Sequence, residues 1–104
     1  MFYTIFLLLS PIFKYRIIGN SMNPTFSSND IVLVNRLAYI FKQPKVGEII
    51  ACRDPRDKKI VIKRITKIEN TSYFVQGDNK NSSTDSRVFG TIRQRDIIGK
   101  VFTV

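Results

Sequence analysis

The stretch that decides the fold is EIIACRDPRDKKIVIKRI, residues 48–65. Two runs rich in isoleucine and valine, 48–53 and 59–65, flank the turn-forming sequence DPRD and predict a β-hairpin. Runs of the same kind lie before this stretch, at 31–36, and after it, at 73–77 and 97–104. Clusters of Asn, Asp, Ser, Gly and Pro separate them, as turns do. Five or six short strands at this spacing predict an all-β fold, a small barrel or sandwich.

Length and composition describe one domain. The chain has 104 residues, of which 43% are apolar and 24% are charged, a balance that supports one hydrophobic core. We divide it into an apolar N-terminal segment, residues 1–14, and a domain over residues 15–104. The segment LAYIF, 37–41, is compatible with a helical turn or with a strand.

The N-terminal stretch MFYTIFLLLSPIF, residues 1–13, has no charged side chain, and Lys14 and Arg16 follow it. As a helix it would reach about 20 Å, short of the roughly 30 Å hydrocarbon core, so we expect no full transmembrane span. An interfacial membrane anchor and an arm packed on the domain both remain open. We therefore expect a cytoplasmic or peripherally membrane-associated protein.

Charge and missing residue types restrict the chemistry. Seventeen basic against eight acidic residues give a net charge of +9, which favours nucleic acid, an anionic membrane or an acidic partner, or is only a solvated surface. With no histidine, Ser–His and Cys–His pairs and His-ligated metals are excluded. The single cysteine, Cys52, excludes an intrachain disulfide.

Lys63 is the first candidate for catalysis. Side chains alternate along a strand, so Lys63 shares a face with Val61 and Ile65. If that face is the core, burial disfavours the ammonium form and produces an amine able to act as a general base. The competing interpretation is an edge-strand lysine whose stem reaches to water.

Two polar segments could complete a site. Ser21 lies in a tight segment between Gly19 and Pro24, which suits either a nucleophile presented beside a free backbone N–H or an ordinary turn. The loop 77–87, GDNKNSSTDSR, is dense in short polar side chains that can orient a hydroxyl, although a mobile surface loop has the same composition.

Together, and in this order, these segments resemble the signal peptidase I family of serine–lysine endopeptidases. The resemblance covers nearly all of residues 15–102. It is carried by GNSMNPT (19–25), DIVLVNR (30–36), VGEII (46–50), VIKRI (61–65), GDNKNSSTDSRVFG (77–90) and IIGKV (97–101).

The resemblance implies roles for individual residues. Ser21 would be the nucleophile, with Met22 beside it, and Lys63 the general base. The Ser21 backbone N–H would serve the oxyanion hole, and Gly19 stands where some members place a second donor, a serine hydroxyl. Ser83 would orient the lysine amine. Supporting roles fall to Asp78, Arg64 and the pair Asp85–Arg87.

The resemblance also implies a substrate. Only thirteen residues separate Lys63 from Gly77, where secretory enzymes carry a larger insert. This layout is most similar to the small proteases that mature nickel-type superoxide dismutase by removing an N-terminal leader. The alternative is a conventional membrane-associated signal peptidase I acting on secreted precursors. The expected partner is a leader-bearing precursor, with a membrane surface left open as a second one. We expect no cofactor, no metal and no nucleic acid.

Two other classes of protein are alternatives to a peptidase. A non-enzymatic basic β-barrel that binds nucleic acid would account for the charge and aromatics, but not for the serine, lysine and GDN…DSR segments. A self-cleaving repressor of related fold would need a DNA-binding module ahead of the protease, and fourteen residues leave no room for one.

Overall fold

A computed structural model describes residues 11–103, in which seven β-strands form one antiparallel sheet that curls into a half-barrel. The strands are β1 (Ile12–Arg16), β2 (Ile31–Asn35), β3 (Ile49–Arg53), β4 (Ile60–Glu69), β5 (Ser72–Gln76), β6 (Ile92–Arg93) and β7 (Ile97–Phe102). Their order across the sheet is β1-β2-β7-β3-β4-β5-β6. A single helical turn, α1 (Ser86–Phe89), and a 3-10 turn, Gln94–Asp96, precede and follow β6. The predicted all-β fold is confirmed.

The predicted hairpin is confirmed as β3 and β4, which pair antiparallel with Ile50 opposite Lys63 and Cys52 opposite Val61. Lys58 adopts a φ of 65° in the turn between them. β4 continues to Glu69, past the predicted end at residue 65, because it also pairs with β5. The segment 37–41 is neither helix nor strand but a run of turns.

Two strands lie outside the predicted runs. β1 begins at Ile12, inside the segment 1–14, and pairs with β2 from Ile12 opposite Asn35 to Arg16 opposite Ile31. β6 has two residues, too few to leave a periodic pattern. Most of residues 1–13, for which an interfacial anchor and a packed arm are both left open by the sequence, lie outside the described residues. Within 11–103 the structure has no helix able to cross a bilayer.

Two apolar clusters cover the two faces of the sheet. The first contains Ile17, Met22, Val32, Val34, Ala51, Ile62 and Val101. The second contains Ile50, Cys52, Ile65, Tyr73, Val75 and Ile92, with Val61 packed against it. Because side chains alternate along β3 and β4, Lys63 lies on the face of the second cluster, beside Ile50. The sheet therefore buries the ionisable side chain of Lys63 among apolar neighbours.

Candidate active site

The loop between β1 and β2 carries Ser21. Backbone hydrogen bonds close its base, from Ile17 N to Asp30 O (2.8 Å) and from Asn29 N to Ile17 O (2.7 Å). Met22 is buried in the first apolar cluster and fixes the middle of the loop. Ser21 next to it is half-buried and lines a cavity, while the neighbouring residue anchors the backbone.

Lys63 lies in the middle of β4 and is only 3% exposed. Its Nζ donates a hydrogen bond to Ser83 Oγ at 2.9 Å. Burial lowers the pKa of Lys63 below its ordinary value of 10.5, while the Asp85 carboxylate acts in the opposite direction. The predicted alternation along β4 is confirmed in the burial of this lysine, and the amine is held by a neutral hydroxyl.

Ser21 and Lys63 line one cavity of about 210 Å³, together with Tyr15, Ile17, Met22 and the start of β4. Within residues 11–103 the Ser21 hydroxyl makes no hydrogen bond, and the lysine amine contacts Ser83 instead. Hydrogen bonds between a nucleophile and its base often tighten only when substrate occupies the site. The fold thus brings a free hydroxyl and a desolvated amine into the same cavity.

Asp85 is linked to Lys63 through the Ser83 hydroxyl. Its fully buried carboxylate accepts hydrogen bonds from Ser83 Oγ (2.8 Å), from Gly77 N (3.0 Å) and from Arg87 Nε (2.9 Å). Burial alone would raise the pKa of Asp85, but these hydrogen bonds outweigh it and lower the pKa to about 2. Because the Ser83 hydroxyl donates its hydrogen bond to Asp85, the Ser83 oxygen is free to accept a hydrogen bond from the Lys63 amine, and this contact orients the amine.

The pairing of Asp85 makes the fold sensitive to acid. Its pKa of about 2 lies below the ordinary 3.8, so the carboxylate stabilises the folded state above pH 3.8, and this is lost as the pH falls toward 2. The loss should be about 2 kcal/mol. Asp85→Asn should remove this pH dependence and destabilise the protein by about 3 kcal/mol at neutral pH, because Arg87 loses its partner. Urea unfolding at several pH values measures both; Asp57→Asn, an exposed aspartate, should retain the wild-type slope.

Asp78 joins β4 to the Ser21 loop. Arg64 donates two hydrogen bonds to it, from Nε and Nη2, each 2.8 Å long. The Thr25 hydroxyl donates to the same carboxylate. Arg64 follows Lys63 directly and Thr25 ends the serine segment, so one ion pair fixes the relative position of the two candidate catalytic residues.

The backbone after β5 touches the Ser21 loop directly. Asn79 N donates to Ser21 O at 2.8 Å, and the Asn79 side chain donates to Asn20 O at 3.1 Å. A methyl group on Gly77 would come within 3.0 Å of both Ser83 Oγ and Ser21 O. Only glycine fits where the serine loop and the loop carrying Ser83 meet.

The structure adds site residues that the sequence analysis missed. Asp54 is buried, lines the cavity of Ser21 and Lys63, and pairs with Arg56 at 2.8 Å. Its signal was the Asp-Pro turn of the central hairpin, interpreted only as a turn. Thr25 and Asn79 lie in segments that carry the family resemblance, but nothing in the sequence showed that Thr25 contacts Asp78 or that Asn79 contacts the Ser21 loop. Gly19, with a φ of 85°, donates its N–H to Ser28 Oγ at 3.3 Å.

Comparison with known proteins identifies the family of the chain. The family model for signal peptidase, peptidase S26, matches residues 1–69 and 66–104. Signal peptidase I V of Bacillus subtilis is 27% identical over 138 aligned positions, covering 84% of this chain and 82% of that protein. Mitochondrial ATP-independent inner membrane protease subunit 1a of Arabidopsis thaliana is 32% identical, and mitochondrial inner membrane protease subunit 1 of Mus musculus is 31% identical.

The chain belongs to the signal peptidase family, peptidase S26, and is a serine endopeptidase. It covers 63% of the length of each of the two mitochondrial relatives. The B. subtilis alignment extends over more positions than this chain has residues, so the relative carries insertions. Family membership favours an enzyme over the nucleic-acid-binding barrel, for which charge was the main support.

Proposed function

We propose that the protein is a Ser–Lys endopeptidase that removes an N-terminal leader from a precursor protein. The observation that carries this proposal is the buried Lys63 amine, held by Ser83 Oγ at 2.9 Å, in the cavity that Ser21 also lines. Without histidine in the chain, a serine nucleophile needs another base, and a desolvated amine is one.

The reaction proceeds in two halves. Ser21 Oγ attacks the scissile carbonyl carbon and gives its proton to the neutral Lys63 amine. The ammonium then protonates the leaving amine as the C–N bond breaks, which leaves Ser21 acylated by the leader. Water then attacks the ester carbonyl and gives a proton to Lys63. The ammonium returns that proton to Ser21 Oγ as the ester C–O bond breaks, which releases the leader with a free carboxylate and restores the enzyme. The Ser21 backbone N–H would stabilise the oxyanion in both halves.

This mechanism predicts how the rate depends on pH. Only the neutral amine accepts the proton, so kcat/KM should rise with pH through the pKa of Lys63 and change about tenfold per pH unit below it. Burial places that midpoint below 10.5. Measuring kcat/KM on a leader peptide from about pH 6 to pH 11 locates it. Lys59→Met, which removes an exposed lysine of the same cavity, should leave the midpoint unchanged; a wild-type midpoint at 10.5 or above would contradict a desolvated base.

The substrate class is narrowed by what lies between Lys63 and Gly77. All of these residues lie in the β4–β5 hairpin, turned at Asn70 and Thr71, so this chain has no inserted subdomain there. That layout supports the leader of a nickel-type superoxide dismutase as substrate. The names of the relatives, signal peptidase I and inner membrane protease, support conventional processing of secreted or membrane precursors at least as well.

One experiment separates the two substrates. The protein is co-expressed with a leader-bearing nickel superoxide dismutase precursor or with a precursor of a secreted protein, and the new N-termini are determined by mass spectrometry. A trimmed dismutase, absent with Ser21→Ala, supports the maturation function. Trimming of the secreted precursor alone supports the conventional function. If neither precursor is cut, leader removal is wrong for this chain.

A further inference from the structure

The first half of β4 has one open edge at the cavity of Ser21 and Lys63. On one side, residues 60–63 pair with β3 throughout. On the other side, β5 begins to pair with β4 only at Arg64, so none of the described strands pairs with 60–63 there. The same four residues line the cavity. This part of β4 therefore has main-chain groups that no strand satisfies, at the cavity that holds the candidate nucleophile.

The hydrogen-bond pattern shows which main-chain groups point to the open edge. Asp54 N donates to Lys59 O at 2.9 Å, so the main chain of Lys59 points toward β3. Main-chain groups alternate between the two edges of a strand, so those of Ile60 and Ile62 point away from β3. An extended peptide adds to an exposed strand edge through groups of this kind. The edge thus offers first Ile62 and then Ile60 to a peptide that starts at Lys63.

The Tyr15 hydroxyl already occupies one of these groups. Tyr15 lies on β1, and its hydroxyl donates a hydrogen bond to Ile60 O at 3.0 Å. β1 and β4 are not neighbours in the sheet, so this hydrogen bond spans the curl of the half-barrel. Both residues line the cavity of Ser21. The outer carbonyl of the open edge is therefore bonded, whereas no side chain among residues 11–103 bonds the main chain of Ile62.

Strand pairing and apolar packing hold Tyr15 in this position. β1 pairs with β2 along its whole length, and Ile17 N extends the contact by donating to Asp30 O at 2.8 Å. The Tyr15 ring packs against the first apolar cluster. Burial raises the pKa of Tyr15 above its ordinary value of 10.0, so the hydroxyl stays protonated through the neutral and mildly alkaline range. The phenol is thus a fixed donor to the Ile60 carbonyl.

We propose that Tyr15 is a specificity-determining residue, which caps the Ile60 carbonyl and ends the peptide-binding edge of β4 after Ile62. The inference rests on the proposed peptidase function, because it assigns the open edge to the leader-bearing substrate. Strand residues rise about 3.3 Å each, so Ile60 lies roughly 10 Å along β4 from Lys63. The edge therefore holds a substrate over about two to three residues from the scissile bond, and a longer peptide gains no further main-chain contact with it.

Peptide binding tests the cap without requiring turnover. Fluorescent peptides from the leader junctions of the two precursors described above reach either about two residues to each side of the scissile bond, too short for Ile60, or about six. They are titrated into Ser21→Ala and Ser21→Ala/Tyr15→Phe. Phenylalanine keeps the ring but releases Ile60 O, so Kd for the long peptide should fall about two- to tenfold, the contribution of one hydrogen bond, while Kd for the short peptide stays the same. Ser21→Ala/Tyr39→Phe, which removes a half-buried hydroxyl outside the cavity, should bind both peptides like Ser21→Ala.

An N-methyl scan identifies the donor that replaces the Tyr15 hydroxyl. Long peptides methylated at one amide at a time are compared between the two proteins, and the gain from Tyr15→Phe should disappear for the peptide whose amide donates to Ile60 O. Equal or weaker binding of the unmethylated long peptide after Tyr15→Phe would overturn the proposal, as would a gain shared by the short peptide or no binding of any peptide. Failure of the peptidase function gives a different result, because the protein with Ser21 intact would then bind these peptides without cutting them.

Discussion

Lys63→Met is expected to abolish peptide cleavage while leaving the protein folded. Loss of the general base should lower kcat by at least about 10⁴-fold, because no histidine or other buried amine stands in the cavity to replace it. Methionine has nearly the volume of lysine and no charge to desolvate, so the free energy of unfolding should stay the same or rise. Turnover of a leader peptide and thermal unfolding measure the two effects separately.

Two companion variants sharpen this test. Lys67 lies on the same strand with its side chain 65% exposed, and Lys67→Met should retain wild-type turnover. Ser21→Ala should lose as much activity as Lys63→Met, and the double variant should be no worse than either, because a nucleophile and its base act as one unit. Cleavage by Lys63→Met within about tenfold of wild type would exclude the amine as the base.

Local patterns predicted the parts of the fold that local sequence determines. The DPRD turn between two alternating runs identified the β3–β4 hairpin, and the same alternation predicted that Lys63 shares a face with Val61 and Ile65, which the structure shows to be a core face. The insertion of β7 between β2 and β3 has no local signal, because the pairing of Lys100 with Asn35 and with Ile50 joins residues far apart in sequence. β1 was missed because its first residues, Ile12 and Phe13, continue the uncharged apolar run of residues 1–13.

The same distinction explains the site. Periodicity predicted that Lys63 shares a face with Val61 and Ile65 but left its burial open, whereas the roles of Ser83, Asp85 and Asp78 came only from family resemblance. The contacts that align the two halves, from Asn79 N to Ser21 O and from Thr25 to Asp78, link residues more than fifty positions apart. No spacing rule predicts such contacts, since they exist only after the sheet has curled and brought the end of β5 against the β1–β2 loop.

Gly77→Ala tests the alignment directly. The added Cβ would lie 2.5 Å from Ser21 O and 2.7 Å from Ser83 Cβ, both closer than real contacts allow. The Ser21 carbonyl is main chain, so relief of this clash must displace the nucleophile from the Lys63 amine. A shift near 1 Å should lower kcat/KM at least about 100-fold. The overpacking should also destabilise the fold by about 1–3 kcal/mol. Peptide turnover and urea unfolding measure both.

A second glycine, Gly90, serves as the control that separates a loss of activity caused by lower stability from one caused by displacement of Ser21. Gly90 has a φ of 82° and a ψ of −170°, and an added Cβ would meet no atom within 4 Å, so Gly90→Ala should cost about 1–3 kcal/mol through backbone strain while leaving turnover close to wild type. Equal losses of stability with unequal losses of activity would assign the Gly77 effect to displacement of Ser21. Near-normal turnover by Gly77→Ala would instead show that the serine loop absorbs the methyl group without moving its hydroxyl, and that Ser21 and Lys63 do not depend on this contact for their alignment.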